Sequence, residues 1–258
     1  MSDTFKFRST GHCAILCIDN PPANTFDRAT LAALKQRLDL LADDRDIYTL
    51  VMTGAGDTFF SAGADLKQFA EGDRQRAQDM ATLFAEAFEA LAGFRGLTIA
   101  AINGYAMGGG LECALACDLR IAEDHAVMAL PEAAVGLLPC AGGTQRLPWL
   151  VGEGWAKRMI LCGERLDAET AYHIGLVEQV VPRGEGLTSA LALAERAARQ
   201  SPGALESCKK LIQAARRPLT ADQLPLERQA FMQLFGTQDQ REGVAAFLEK
   251  RPPQWKNA

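Results

Sequence analysis

Apolar and polar positions change period several times along the chain. Ala14–Ile18 and Tyr48–Thr53 are short, nearly continuous apolar runs of the kind that form buried strands. Between them, from about Asp27 to Leu41, Leu31, Leu34, Leu38 and Leu41 recur at helical spacing. Thr98–Ile102 is another strand candidate, preceded by a helical stretch from about Arg74 to Phe94. Asp118–Ala122, Val127–Leu130 and Leu176–Val181 follow as short strands. Strands alternating with helices predict an α/β core. From about Gly184 the character changes. Leu187–Gln200, Gly203–Ala215, Thr220–Phe235 and Gln238–Glu249 all read as helices, with breaks at Pro202, Pro218 and Gly236. The expected division is a core over 1–195 and a helical C-terminal region over 196–258. Such a tail either covers its own core or packs against another subunit.

Composition narrows the class. The chain has 258 residues, 48% hydrophobic and 23% charged, enough for one large domain with a substantial core. A net charge of −5 argues against a general nucleic-acid binder. The opening MSDTFKFRST lacks the apolar core of a secretory signal. The longest apolar region, around 97–117, is glycine-rich and interrupted by Asn103 and Glu112, so it reads as protein interior rather than a membrane span. Seven cysteines, an odd number in a chain of this size, point to free thiols in a reducing cytoplasm. Neither the Cys13/Cys17 and Cys113/Cys117 spacings nor His12, His125 and His173 make a metal-like cluster. The chain contains no G-x-S-x-G elbow and no Walker lysine.

Three segments carry candidate chemistry. AINGYAMGGGLECALACDLR, Ala101–Arg120, holds one acid, Glu112, among small and aliphatic residues. A charge there must be satisfied, protonated or in use. Either it bonds to Asn103 or neighbouring backbone, or it does chemistry. Gly108, Gly109 and Gly110 precede a helix, whose first turn has unpaired N–H groups that an oxygen can reach. SAGADL, Ser61–Leu66, is a second small-residue loop, with Asp65 at the start of a helix. In ALPEAAVGLLPCAGGTQRLP, Ala129–Pro148, Glu132 sits at a loop-to-helix junction, where acids also serve as caps. Two carboxylates and two backbone-exposing loops suit holding a carbonyl oxygen while protons and a water are moved.

These segments, with GERLDAETAYHIGLVEQVVP and DQREGVAAFLEKR after them in order, resemble the enoyl-CoA hydratase/isomerase, or crotonase, family from about Phe5 to Trp255. The resemblance implies a crotonase-type β/β/α spiral core and a C-terminal region that builds homotrimers or hexamers. It implies an acyl-CoA thioester gripped by the N–H groups of Ala64 and Gly109, with Glu112 deprotonating water and Glu132 delivering a proton to C2. CoA would lie along Asn24, Thr25, Phe26, Ala62, Asp65 and Leu66, with Arg28, Lys67, Lys250 and Arg251 as phosphate partners. The acyl pocket would be walled by Met107, Leu137 and parts of the Phe69–Phe88 region. Cys140 stands where many hydratases of the family carry glycine, beside the water site. No metal and no cofactor is implied, since the thioester is the substrate; nor is a nucleic-acid or membrane partner.

Retention of both glutamates favours hydration of a 2-trans-enoyl-CoA to the 3-hydroxyacyl-CoA. The alternatives are a 3-enoyl to 2-enoyl isomerase, or a hydratase of a branched or carboxylated substrate of the methylglutaconyl type. A non-enzymatic scaffold or RNA-binding relative is opposed by the intact acids and the acidic balance.

Overall fold

The computed structural model describes residues 4–215, 225, 228–229, 231–235 and 237–254. Two sheets organise it. The larger has six strands: β1 (Phe5–Thr10), β2 (Cys13–Ile18), β3 (Thr49–Gly54), β5 (Leu97–Ile102), β7 (Leu119–Glu123) and β10 (Gln179–Val181), in that spatial order. Only β1 runs antiparallel to its neighbour. The smaller sheet orders β4 (Phe59–Ser61), β6 (Tyr105–Met107), β8 (Val127–Ala129) and β9 (Leu166–Asp167).

The chain therefore repeats one unit: a strand of the large sheet, a corner, a strand of the small sheet, then a helix. β3 and β4 lead to α2 (Arg74–Ala92), β5 and β6 to α3 (Gly109–Ala116), and β7 and β8 to a short turn and α4 (Gly143–Leu161). Asn103 fastens one turn of this spiral to the one before. Its amide nitrogen donates to the carbonyls of Gly54 and Gly56 at 2.8 and 2.9 Å, and its amide oxygen accepts from the Gly54 N–H at 3.0 Å. Gly104 beside it approaches Thr58 so closely that a Cβ would lie 2.2 Å from the Thr58 carbonyl oxygen.

Packing explains the nearly continuous apolar strands. α1 (Arg28–Asp43), capped by Asp27, buries Leu31, Leu34, Leu38 and Leu41 as its period requires. The large sheet is covered on its other face by α6 (Gly186–Ala198), against Ile15, Val51, Ile99 and Ile121. A parallel strand buried on both sides has no polar face to show. The expected strand Leu176–Val181 is shorter, because the N–H groups of Leu176 and Val177 turn back to the carbonyl of Ala171, at the end of α5 (Ala168–His173).

The tail divides. α7 (Pro202–Ala214) buries none of its residues and leaves Leu211 71% and Ile212 64% exposed. The chain beyond it folds back: Phe231 and Phe235 are buried, as are Val244 and Ala246 of α8 (Gln238–Leu248). Of the expected helix 220–235, residues 231–234 are helical, while most of the rest, with the breaks at Pro218 and Gly236, lies outside the described residues. Among the described residues no helix is long and apolar enough to cross a membrane.

Candidate active site

The small sheet positions the site because β4, β6 and β8 run parallel and their C-terminal ends lie side by side. Ala62–Asp65 leaves β4, Gly108–Gly110 leaves β6, and Leu130–Glu132 leaves β8. Residues 23–26 join the first loop: the Phe26 N–H donates to Gly63 and the Asp65 N–H to Phe26, at 2.8 and 3.1 Å. The Gly108 N–H donates to the Ala129 carbonyl at 2.9 Å, which ties the second loop to the end of β8.

Gly63 and Gly109 bring two of these loops into contact. Gly63 is at φ +85°, and a Cβ on it would lie 2.5 Å from the Met107 carbonyl oxygen and 2.9 Å from the Gly109 nitrogen. Among the described residues, the N–H groups of Ala64 and Gly109 donate to no protein acceptor. Gly109 opens α3, whose first turn adds a partial positive charge. Two adjacent donors of this kind form a seat for an oxygen that gains charge.

The two carboxyl groups reach the same place from different elements. Glu112 lies on the first turn of α3 and is 3% exposed. Its Oε1 accepts from the N–H groups of Ala141 and Gly143 at 2.9 and 2.8 Å. Asn103, a candidate partner from sequence, instead turns to the Gly54–Gly56 corner. Glu132 follows β8, and its Oε1 would lie 3.2 Å from a Cβ on Gly108. Gly108, at φ +52° and ψ −125°, holds a backbone shape that side chains rarely adopt and leaves room for that carboxyl group.

All four groups line one cavity of about 700 Å³. Of the other residues expected at the site, Thr25, Ala62, Asp65, Leu66, Lys67, Met107, Leu137 and Cys140 also line it. The side chain of Asp65 caps its own turn by accepting from the Lys67 N–H. Asn24, Phe26, Arg28 and Lys250 are not on its wall. Asn24 is buried and donates to the carbonyls of Ala55 and Phe59. The Phe26 ring is fully buried, edge-on to Phe84 and Phe88. Arg28 pairs on the surface with Asp79 at 2.8 Å. Of the two basic tail residues expected there, Arg251 is on the wall, held by Glu242 and Glu249, and Lys250 is not.

Apart from Arg251, the tail side of the wall was not apparent from the sequence. Phe231, Gly243, Phe247 and Leu248 line the cavity from the C-terminal region, Tyr105 from β6, and Arg165 from the residue before β9. Gly243 is the one local signal: a Cβ there would lie 2.5 Å from the Val135 carbonyl carbon, so glycine lets α8 sit on the turn that follows Glu132. Among the described residues no three His, Cys, Asp or Glu side chains cluster to hold a metal ion.

Comparison with known proteins gives one consistent result. Residues 9–258 match the family described as enoyl-CoA hydratase/isomerase. The 2,3-dehydroadipyl-CoA hydratase of Escherichia coli is 40% identical over 94% of both chains, and the crotonyl-CoA hydratase of Syntrophomonas wolfei 37% identical over 92% of both. The structure of Pseudomonas aeruginosa DspI superposes with a TM-score of 0.83 at 64% identity, covering 99% of this chain and 97% of that one.

Proposed function

The chain belongs to the enoyl-CoA hydratase/isomerase family, and from that premise we propose that its cavity adds water across the 2,3 double bond of a 2-trans-enoyl-CoA. The observation that carries the reading is the convergence of Glu112, Glu132 and the Ala64 and Gly109 amides on one cavity. The thioester oxygen sits between the two N–H groups. Glu112 accepts a proton from water as its oxygen bonds to C3, and the π electrons move onto the thioester as an enolate. Glu132 then donates a proton to C2 from the same face, so the addition is syn and the product is the 3-hydroxyacyl-CoA. Each well-placed acid or base contributes roughly 10²–10⁴ in rate. Each oxyanion donor contributes about 2.7–4 kcal/mol.

CoA enters along Thr25 and Ala62–Lys67, and the acyl chain runs toward Leu137 and the aromatic residues of the tail. The exposed Leu211 and Ile212 of α7 support a contact between copies, in a homotrimer or a pair of trimers. Loss of enoyl-thioester absorbance on mixing with crotonyl-CoA tests the reaction. Glu132→Gln is expected to retain acyl-CoA binding and lose turnover by about 10²-fold or more; unchanged turnover refutes its role.

A further inference from the structure

Glu112 Oε1 is held by two backbone amides of the 140–143 loop, and a side chain bonds that loop in turn. We infer that Arg146 is a positioning residue for Glu112, acting through the 140–143 loop; this rests on the reading of Glu112 as the group that handles water. Ala141 is held through both of its flanking peptide groups. Its N–H donates to Glu112 Oε1 at 2.9 Å, and its carbonyl accepts from Arg146 Nη1 at 2.7 Å. The second amide on Glu112, that of Gly143, opens the helix on which Arg146 stands one turn later.

The side chain reaches back over Gly142 to make this contact. Gly142 is at φ +104°, and a Cβ on it would lie 2.2 Å from Arg146 Nη1, so any other residue there displaces the guanidinium. The glycine is thus required twice, by the backbone shape and by the arginine that passes over it. Arg146 also donates its own N–H to the Gly142 carbonyl at 2.8 Å, closing the loop from both backbone and side chain. The same loop carries Cys140 on the cavity wall. A shift of the 140–143 segment therefore moves both amides of Glu112 and the wall beside the reacting water. Misplacement of a catalytic group by about 1 Å can cost on the order of 10²-fold.

Arg146→Met and Arg146→Lys, each made with Glu112 intact and with Glu112→Gln, test the assignment. The expected result with Glu112 intact is a kcat reduced about 10- to 100-fold in Arg146→Met, KM within about 3-fold, and partial recovery in Arg146→Lys. In the Glu112→Gln background the same change alters residual turnover by less than about 2-fold, because the effect passes through the group already removed. An equal further loss in that background overturns the assignment, as does an unchanged kcat. Amide hydrogen exchange gives a readout independent of turnover: Ala141 and Gly143 exchange about 10-fold faster or more in both Arg146 variants, with Arg146→Lys the lesser, while β3 and β5 stay protected. Unchanged exchange at those two amides overturns the clamp even if the protein hydrates no enoyl-CoA, an outcome that on its own would refute only the proposed reaction.

Discussion

Gly63→Ala is the sharpest single perturbation of the proposed oxyanion seat. The added methyl would lie 2.5 Å from the Met107 carbonyl oxygen, 2.9 Å from the Gly109 nitrogen and 3.4 Å from the Gly110 nitrogen, all backbone atoms that no rotamer change can move aside. At φ +85° alanine adds backbone strain of about 1–2 kcal/mol. Overpacking adds about 1–3 kcal/mol, for a total loss of about 2–5 kcal/mol in stability. Relief of the overlap requires the Ala62–Asp65 loop to part from the start of α3, which separates the Ala64 and Gly109 donors. Loss of one aligned donor alone corresponds to about 10²–10³ in kcat. Gly11→Ala is the matched control, because Gly11 is at φ +53° with nothing within 4 Å of the added methyl. Urea unfolding and steady-state hydration of crotonyl-CoA on both variants separate strain from geometry. Gly11→Ala is expected to lose about 1–2 kcal/mol and keep full kcat. A Gly63→Ala protein that is folded and retains kcat within about 3-fold would refute the placement of the thioester oxygen between these loops.

Other consequences follow from buried groups away from the cavity. Arg120 is 1% exposed and donates to Glu178 and to the carbonyls of Cys117 and Leu176, so Arg120→Met should cost about 3–5 kcal/mol in unfolding free energy, with turnover per folded molecule unchanged. Burial pushes the Cys117 thiol up to about 12 and the Cys113 thiol well above its ordinary value. The unfolded thiols ionise near the ordinary value while the folded ones stay protonated. Their contribution is therefore complete below about pH 9 and is lost as pH rises, at about 1.4 kcal/mol per pH unit per thiol. Unfolding curves of Cys117→Ala should fall less steeply with pH above that point than those of the parent; parallel curves would contradict the assignment.

The parts of the fold that sequence made legible are those with a long enough period. Leu31 to Leu41 spans three turns of one helix, and Thr98–Ile102 is buried on both faces, so each announces itself locally. The small sheet is less visible: Val127–Leu130 reads as a strand, but FFS and YAM are three residues each and show no alternation. Yet these strands bring the loops of the site together. Glu112 was conspicuous as a lone acid in apolar sequence, whereas its amide partners lie 29 and 31 residues away and carry no side-chain signal. Phe231 and Gly243 reach the cavity only because the tail returns to its own chain. The two halves of the tail differ: α8 packs inward against the core, whereas α7 leaves Leu211 and Ile212 exposed.

If two acids and two amides carry out one hydration, solvent oxygen goes to C3 and solvent hydrogen to C2. Mass spectrometry of the product formed from a 2-trans-enoyl-CoA in water enriched in both ¹⁸O and deuterium tests this directly. The expected product carries one solvent oxygen at C3 and one solvent hydrogen at C2 per molecule, and a variant carrying Glu112→Gln and Glu132→Gln incorporates neither. Solvent hydrogen incorporated without oxygen, or full incorporation by the double variant, would contradict it.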